Sequence, residues 1–157
     1  MIFIKLRNYL RISLLLVVLA LMWGCGSGGG STPSITDSKS AMGTVIASGN
    51  GIFVIQGNAM ADVAGMELNA TYDSSSLGTP SVSQGSLISD AMLVANTNIP
   101  GAVKIAIISS KAISGSGPIA TVSFASHAGA GNFTVTANMI NASGIDIGSW
   151  SSTANDF

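Results

Sequence analysis

Apolar and polar side chains alternate through residues 66–72. Met66, Leu68, Ala70 and Tyr72 fall on one side, and Glu67, Asn69 and Thr71 on the other. The same period runs through 119–124, where Ala120, Val122 and Phe124 share one side and Ile119, Thr121 and Ser123 the other. A period of two marks a strand with one face turned to a core. Short runs of this kind predict strands over 43–47, 52–56, 63–72, 80–84, 91–95, 102–108, 119–125, 132–139 and 145–150. On this reading the carboxy-terminal strand is short. Glycine, asparagine and serine collect between the runs, at 48–51, 96–98 and 129–132, and read as turns. No long segment carries apolar residues at helical spacing, and Gly65 interrupts the one stretch, 60–66, that could pass for a turn of helix. Many short strands at regular intervals predict an all-β sandwich or barrel.

The amino terminus follows a different pattern. Lys5, Arg7 and Arg11 precede an apolar run over 12–22 that only Ser13 breaks, and Gly24 and Cys25 follow. This is the layout of a secretory signal peptide over residues 1–24. A membrane-spanning helix needs about twenty apolar residues, and the run is roughly half that. Cys25 is the only cysteine, so no internal disulfide can form. Leu21-Met-Trp-Gly-Cys25 resembles a bacterial lipobox, with Trp23 where a small residue is usual. It implies lipidation of Cys25 and a protein exported and anchored in the bacterial envelope, at the outer membrane or cell surface. The alternative is an ordinary signal peptide with a stray cysteine near its cleavage point. Residues 25–40, rich in glycine and serine, read as a flexible tether. Residues 41–157 then form one domain, long enough for a real core.

Charge narrows the function classes. After Cys25 only Lys39, Lys104 and Lys111 are basic, against Asp37, Asp62, Glu67, Asp73, Asp90, Asp146 and Asp156. A mildly acidic domain with no basic patch does not suit nucleic acid.

Several segments occur in the order of a known family. They are Asp62-Val-Ala-Gly-Met-Glu-Leu68, Tyr72-Asp-Ser-Ser-Ser-Leu77, Ser83-Gln-Gly-Ser-Leu87, Pro100-Gly-Ala-Val-Lys-Ile-Ala-Ile107 and Ile113-Ser-Gly-Ser-Gly-Pro-Ile-Ala-Thr-Val-Ser-Phe124. Over roughly 52–140 the chain resembles a cohesin domain, with Ser74 where the family usually has proline. The resemblance implies a jelly-roll β-sandwich of about nine strands. It also implies a non-catalytic module that docks a protein partner, a calcium-loaded dockerin, through one sheet face. That face includes the outward side of the strand before Tyr72-Asp73. Glu67 matches a polar contact position of the family, and Asn69 and Thr71 join it by alternation. Lys104, Ala106 and Ile108, on a strand expected in the same sheet, complete the candidate set. The plainer reading of these six is the solvated face of an antiparallel sheet. The chain has no Asp-x-Asp-x-Asp-Gly loop, so calcium would belong to the partner.

Two other functions compete. A polysaccharide-binding module would need exposed rings. Phe53, Tyr72, Phe124 and Phe133 read as core, which leaves Trp150 as the sugar platform. A structural role in an envelope assembly is the second. Catalysis has little to build on. His127, the single histidine, lies beside a glycine-rich turn and reads as a surface residue without a task, and Glu67 is the only glutamate. No nucleophile elbow or metal-ligand cluster is present, and no cofactor is implied.

Overall fold

The computed structural model describes residues 42–157. The expected signal segment, the tether and Cys25 lie outside them. Among the described residues seven strands form: β1 Gly43–Gly49, β2 Ile52–Tyr72, β3 Pro80–Gln84, β4 Met92–Ile99, β5 Ala102–Phe124, β6 Gly131–Ile140 and β7 Asp146–Asp156. A single 3-10 turn covers Ser86–Ile88. Every pairing is antiparallel.

The expected nine strands are accounted for by two bends. Predicted strands 52–56 and 63–72 run together as β2, and 102–108 and 119–125 as β5. The first leg of β2 pairs with β1 and with the last leg of β5, which also pairs with β3. The second leg of β2 pairs with the first leg of β5 and with β6. Beyond these, β4 joins β5 and β7 joins β6. The result is a sandwich of a four-stranded sheet, β3-β5-β2-β1, and a five-stranded sheet, β4-β5-β2-β6-β7.

The bend has a local cause. Between the two legs the β2–β5 register shifts repeatedly, at Gly57/Met60, Met60/Val63 and Val63/Gly65. Ala59 and Asp62 adopt φ of 46° and 58°, and Gly115 and Gly117 opposite them adopt 107° and 155°. Such angles suit glycine and bend the strand. Ser116 Oγ accepts the Ala59 N–H at 2.8 Å, and Ser114 Oγ the Asp62 N–H at 3.4 Å. The Ser-Gly-Ser-Gly segment thus turns two paired strands from one sheet into the other.

The core lies between the sheets. Phe53 from the four-stranded sheet stacks on Phe133 from the five-stranded one, with centroids 4.8 Å apart. Phe124 meets both edge-on at 5.9 Å. Edge-to-face and offset stacks of this kind are the favoured aromatic geometries. Ile55, Leu68, Val103, Ile105, Ile107, Val122 and Val135 fill the remainder, fully buried.

Four sequence expectations change. Ile119 is fully buried instead of facing outward with Thr121, because the register slips beside it: Ile55 faces Ala120 while Gln56 faces Pro118. The carboxy-terminal strand is not short but runs eleven residues. Its extension carries Asp156, which is 4% exposed. The Asp156 carboxylate accepts the Gly51 N–H at 2.6 Å and lies 3.7 Å from His127 Nε2. His127 is accordingly half-buried, and it forms a β-bridge with Leu77. Tyr72 is only half-buried, at the edge of the core.

Candidate functional site

The second leg of β2 lies at the centre of the five-stranded sheet. Its inward residues Met66, Leu68 and Ala70 are buried, which fixes Glu67, Asn69 and Thr71 on the outward face. Register sets their neighbours. Glu67 lies between Ala106 and Asn138, Asn69 between Lys104 and Thr136, and Thr71 between Ala102 and Thr134. One row further along, Gly65 lies between Ile108 and Ile140. The strand β4 widens the face, with Met92 beside Ile108, Val94 beside Ala106 and Asn96 beside Lys104. Paired strands are about 4.8 Å apart, so each row is a line of touching side chains. All six residues singled out in the sequence, Glu67, Asn69, Thr71, Lys104, Ala106 and Ile108, therefore occupy one surface.

That surface has two ends. Met92 and Ile108 are each 60% exposed, Val94 is 57% and Ile140 is 44%. With Ala106 they form an apolar end. Asn96, Lys104, Asn69, Thr71, Thr134 and Thr136 form a polar end. Glu67 sits where the ends meet, and a shallow depression opens on each side of it. One is bordered by Gly65, Ile108, Asn138 and Ile140, the other by Val94, Asn96, Lys104 and Ala106. Gly65 shapes the first. A Cβ there would come 2.8 Å from Ile140 Cγ1, so the missing side chain lets Ile140 lie across the strand.

The polar end is held by its own hydrogen bonds. Asn69 Nδ2 donates to Glu67 Oε1 at 3.1 Å, and Thr136 Oγ1 donates to the Asn69 carbonyl at 3.3 Å. Thr134 and Thr153 hydroxyls are 2.8 Å apart. Of these contacts the Asn69–Glu67 bond is the one that ties the two outward side chains to each other. Among the described residues no group of three His, Cys, Asp or Glu side chains could hold a metal ion.

Sequence reasoning missed Met92, Val94 and Ile140. In β4 the inward-tilted Leu93 and the outward Met92 and Val94 are all apolar, so alternation gave no sign of which side was exposed. Trp150 requires a correction. It is 7% exposed, and a Cβ on Gly43 would overlap its indole. A ring buried against backbone offers no face to a sugar, so Trp150 is not a platform.

Comparisons with known proteins bear on this surface. The family model for the cohesin domain matches residues 32–151, more than half of the chain. The fold is similar to that of a non-cellulosomal cohesin from the archaeon Archaeoglobus fulgidus, at 18% identity and TM-score 0.55, over 74% of this chain and 83% of that one. A type II cohesin domain from the cellulosome of Acetivibrio cellulolyticus matches at 14% identity and TM-score 0.59, over 74% and 94%. The sixth cohesin of scaffoldin B from the same organism, solved in complex with a dockerin, matches at 13% and 0.57, over 71% and 96%. At these identities the structural likeness speaks to the fold. No curated protein matches the sequence.

Proposed function

The chain belongs to the cohesin domain family, and from that premise we propose that it is a docking module for a dockerin-type protein, tethered to a cell envelope. The domain itself is non-catalytic. The observation that supports docking most is the composition of the outward face of the five-stranded sheet. Four large apolar side chains stand exposed on it, next to hydrogen-bonded polar ones. An apolar patch rimmed by polar groups is the usual make-up of a protein interface. A helical partner would place apolar side chains against Met92, Val94, Ile108 and Ile140 and polar ones toward Glu67, Asn69 and Lys104. The calcium in such a complex would sit in the dockerin.

The tether reading rests on sequence, through the apolar run over 12–22 and Cys25. Bacterial lipidation would place more than one acyl chain on that cysteine, and two chains give stable anchoring where one does not. The docking face would then be held close to a membrane on a glycine-serine tether.

The test is a pull-down of calcium-loaded dockerins by the chain, with and without a calcium chelator. Capture that chelation abolishes is the expected outcome. Capture that persists in chelator sinks the calcium-folded partner. Radiolabelled palmitate incorporated by the wild-type chain and lost in Cys25→Ser checks the anchor, and equal labelling of both chains would refute it.

A further inference from the structure

A second concave site lies away from the docking face, at the end of the sandwich. The segment 73–79 between β2 and β3, the start of β3, the end of β4 and the β4–β5 turn border an open cleft of about 400 Å³. Tyr72, Leu77, Pro80 and Pro100 give it apolar wall, and Ser74, Thr79, Thr97 and Asn98 give it hydroxyl and amide groups. None of these residues belongs to the outward sheet face.

The cleft is preformed. Leu77 N–H donates to the Asp73 carbonyl at 2.9 Å, and Gly78 N–H to the Ser126 carbonyl at 2.9 Å, which fixes one wall. On the other wall the β4–β5 register slips between Asn96 and Ile99, and Thr97 and Asn98 occupy the slip. The Asn98 N–H donates to Asn96 Oδ1 at 3.1 Å, so the turn is closed by Asn96 and backbone. Tyr72 is held from the core side by Phe124, with centroids 4.7 Å apart.

Its chemistry is neutral. No charged side chain lines the cleft. Asp73, the acidic residue on the same segment, is bonded into its own turn by the Ser75 N–H at 2.9 Å and the Ser75 hydroxyl at 2.7 Å. The volume falls in the lower range of ligand sites, which combine apolar wall with a few placed polar groups. We infer that this cleft is a binding site for a short neutral saccharide of one or two rings. Tyr72 and the exposed Pro100 would contact the sugar's C–H surface, and Asn98, Thr97 and Thr79 its hydroxyls. An acidic sugar would find no cation there, and burial of its charge would be uncompensated.

The experiment is titration of the isotope-labelled full chain with cellobiose, maltose and glucuronic acid, followed by amide chemical shifts. At least one disaccharide is expected to move the signals of Tyr72, Thr79, Thr97 and Asn98. Asn98→Ala, which leaves the turn's backbone bond in place, is expected to weaken that binding about tenfold, the worth of one hydrogen-bonding group. Thr79→Val removes a lining hydroxyl at nearly constant shape and serves as the second, fold-preserving variant, with a several-fold loss. Ile108→Asp on the sheet face is expected to leave the titration unchanged, which separates this site from the docking reading. Absence of shifts at the cleft with both disaccharides overturns the inference. So does tighter binding of glucuronic acid, or an Asn98→Ala titration equal to wild type.

Discussion

The two sheets of this sandwich share the strands β2 and β5, yet their outward faces differ. On the four-stranded sheet the outward rows run through Ile46, Val54, Thr121 and Ser83, and through Ile52, Ser123 and Ser81. Ile52 and Val54 are half-buried there, and Ile46 is the one large apolar residue of these rows that stands exposed, at 45%. On the five-stranded sheet Met92, Val94, Ile108 and Ile140 are all exposed, and they adjoin one another through the register. Inward residues on both sheets answer to one core and look alike. Outward residues answer to whatever lies outside, and only one face is built as an apolar patch beside ordered polar groups. The difference separates residues that specify the sandwich from residues that specify its use.

The comparison is most severely tested by a change that removes what the sheets share. Phe53 is fully buried and contacts Phe124 and Phe133. Phe53→Ala should destabilise the domain by about 3–5 kcal/mol through lost burial and a cavity. Denaturant unfolding measures this, and a loss below about 1 kcal/mol would contradict a core common to both sheets. Next in size is a change that separates the faces. Ile108→Asp should reduce partner affinity by about 2 kcal/mol or more, the range of a central interface residue, while Ile46→Asp on the other sheet should not. Both should stay within about 0.5 kcal/mol of wild-type stability, as exposed substitutions do. Equal losses of affinity from the two variants would erase the distinction between the faces.

The smallest effect is electrostatic. Hydrogen bonds from the Ser75 hydroxyl, the Ser75 N–H and the Ser76 hydroxyl hold the Asp73 carboxyl below its ordinary value of 3.8. A depressed carboxylate contributes stability that is fully present above its unfolded value and is lost as pH falls through the folded one. Asp73 should therefore titrate at lower pH than an unstructured aspartate, and Ser75→Ala should move that titration upward. Carbon-detected NMR of the carboxyl reads both. No upward movement in Ser75→Ala would remove the hydroxyl as the cause.

Most of the fold was legible because burial on one side imposes a period of two. Each predicted strand is present, and the Ser-Gly-Ser-Gly segment marks the place where a strand changes sheets. The misses have physical reasons. A register slip of one residue turned Ile119 inward, and such a slip leaves no period to read. The end of β7 is polar and small, in Ser151, Ser152, Thr153 and Asn155, so its pairing to β6 had no apolar signature. That Glu67, Asn69, Thr71, Lys104, Ala106 and Ile108 share one outward face followed from alternation and family order. The apolar half contributed by β4 and β6 did not, because exposure of Met92, Val94 and Ile140 is set by which strand lies at an edge and by the missing side chain at Gly65. Trp150 failed for the same reason in reverse, since a neighbour without a side chain drew the ring inside.

The continuity of β2 and β5 across both sheets also sets how the chain reaches its native state. Ile52 pairs with Ser123, and Thr71 with Ala102, so every rung of this central ladder joins distant parts of the sequence. Loop closure has to precede these contacts, and domains dominated by such pairings fold on the order of milliseconds to seconds. Hairpins β4–β5 and β6–β7 can form early and locally. The core, by contrast, closes only through β2, whose pairings with β5 and β6 span the longest stretches of chain.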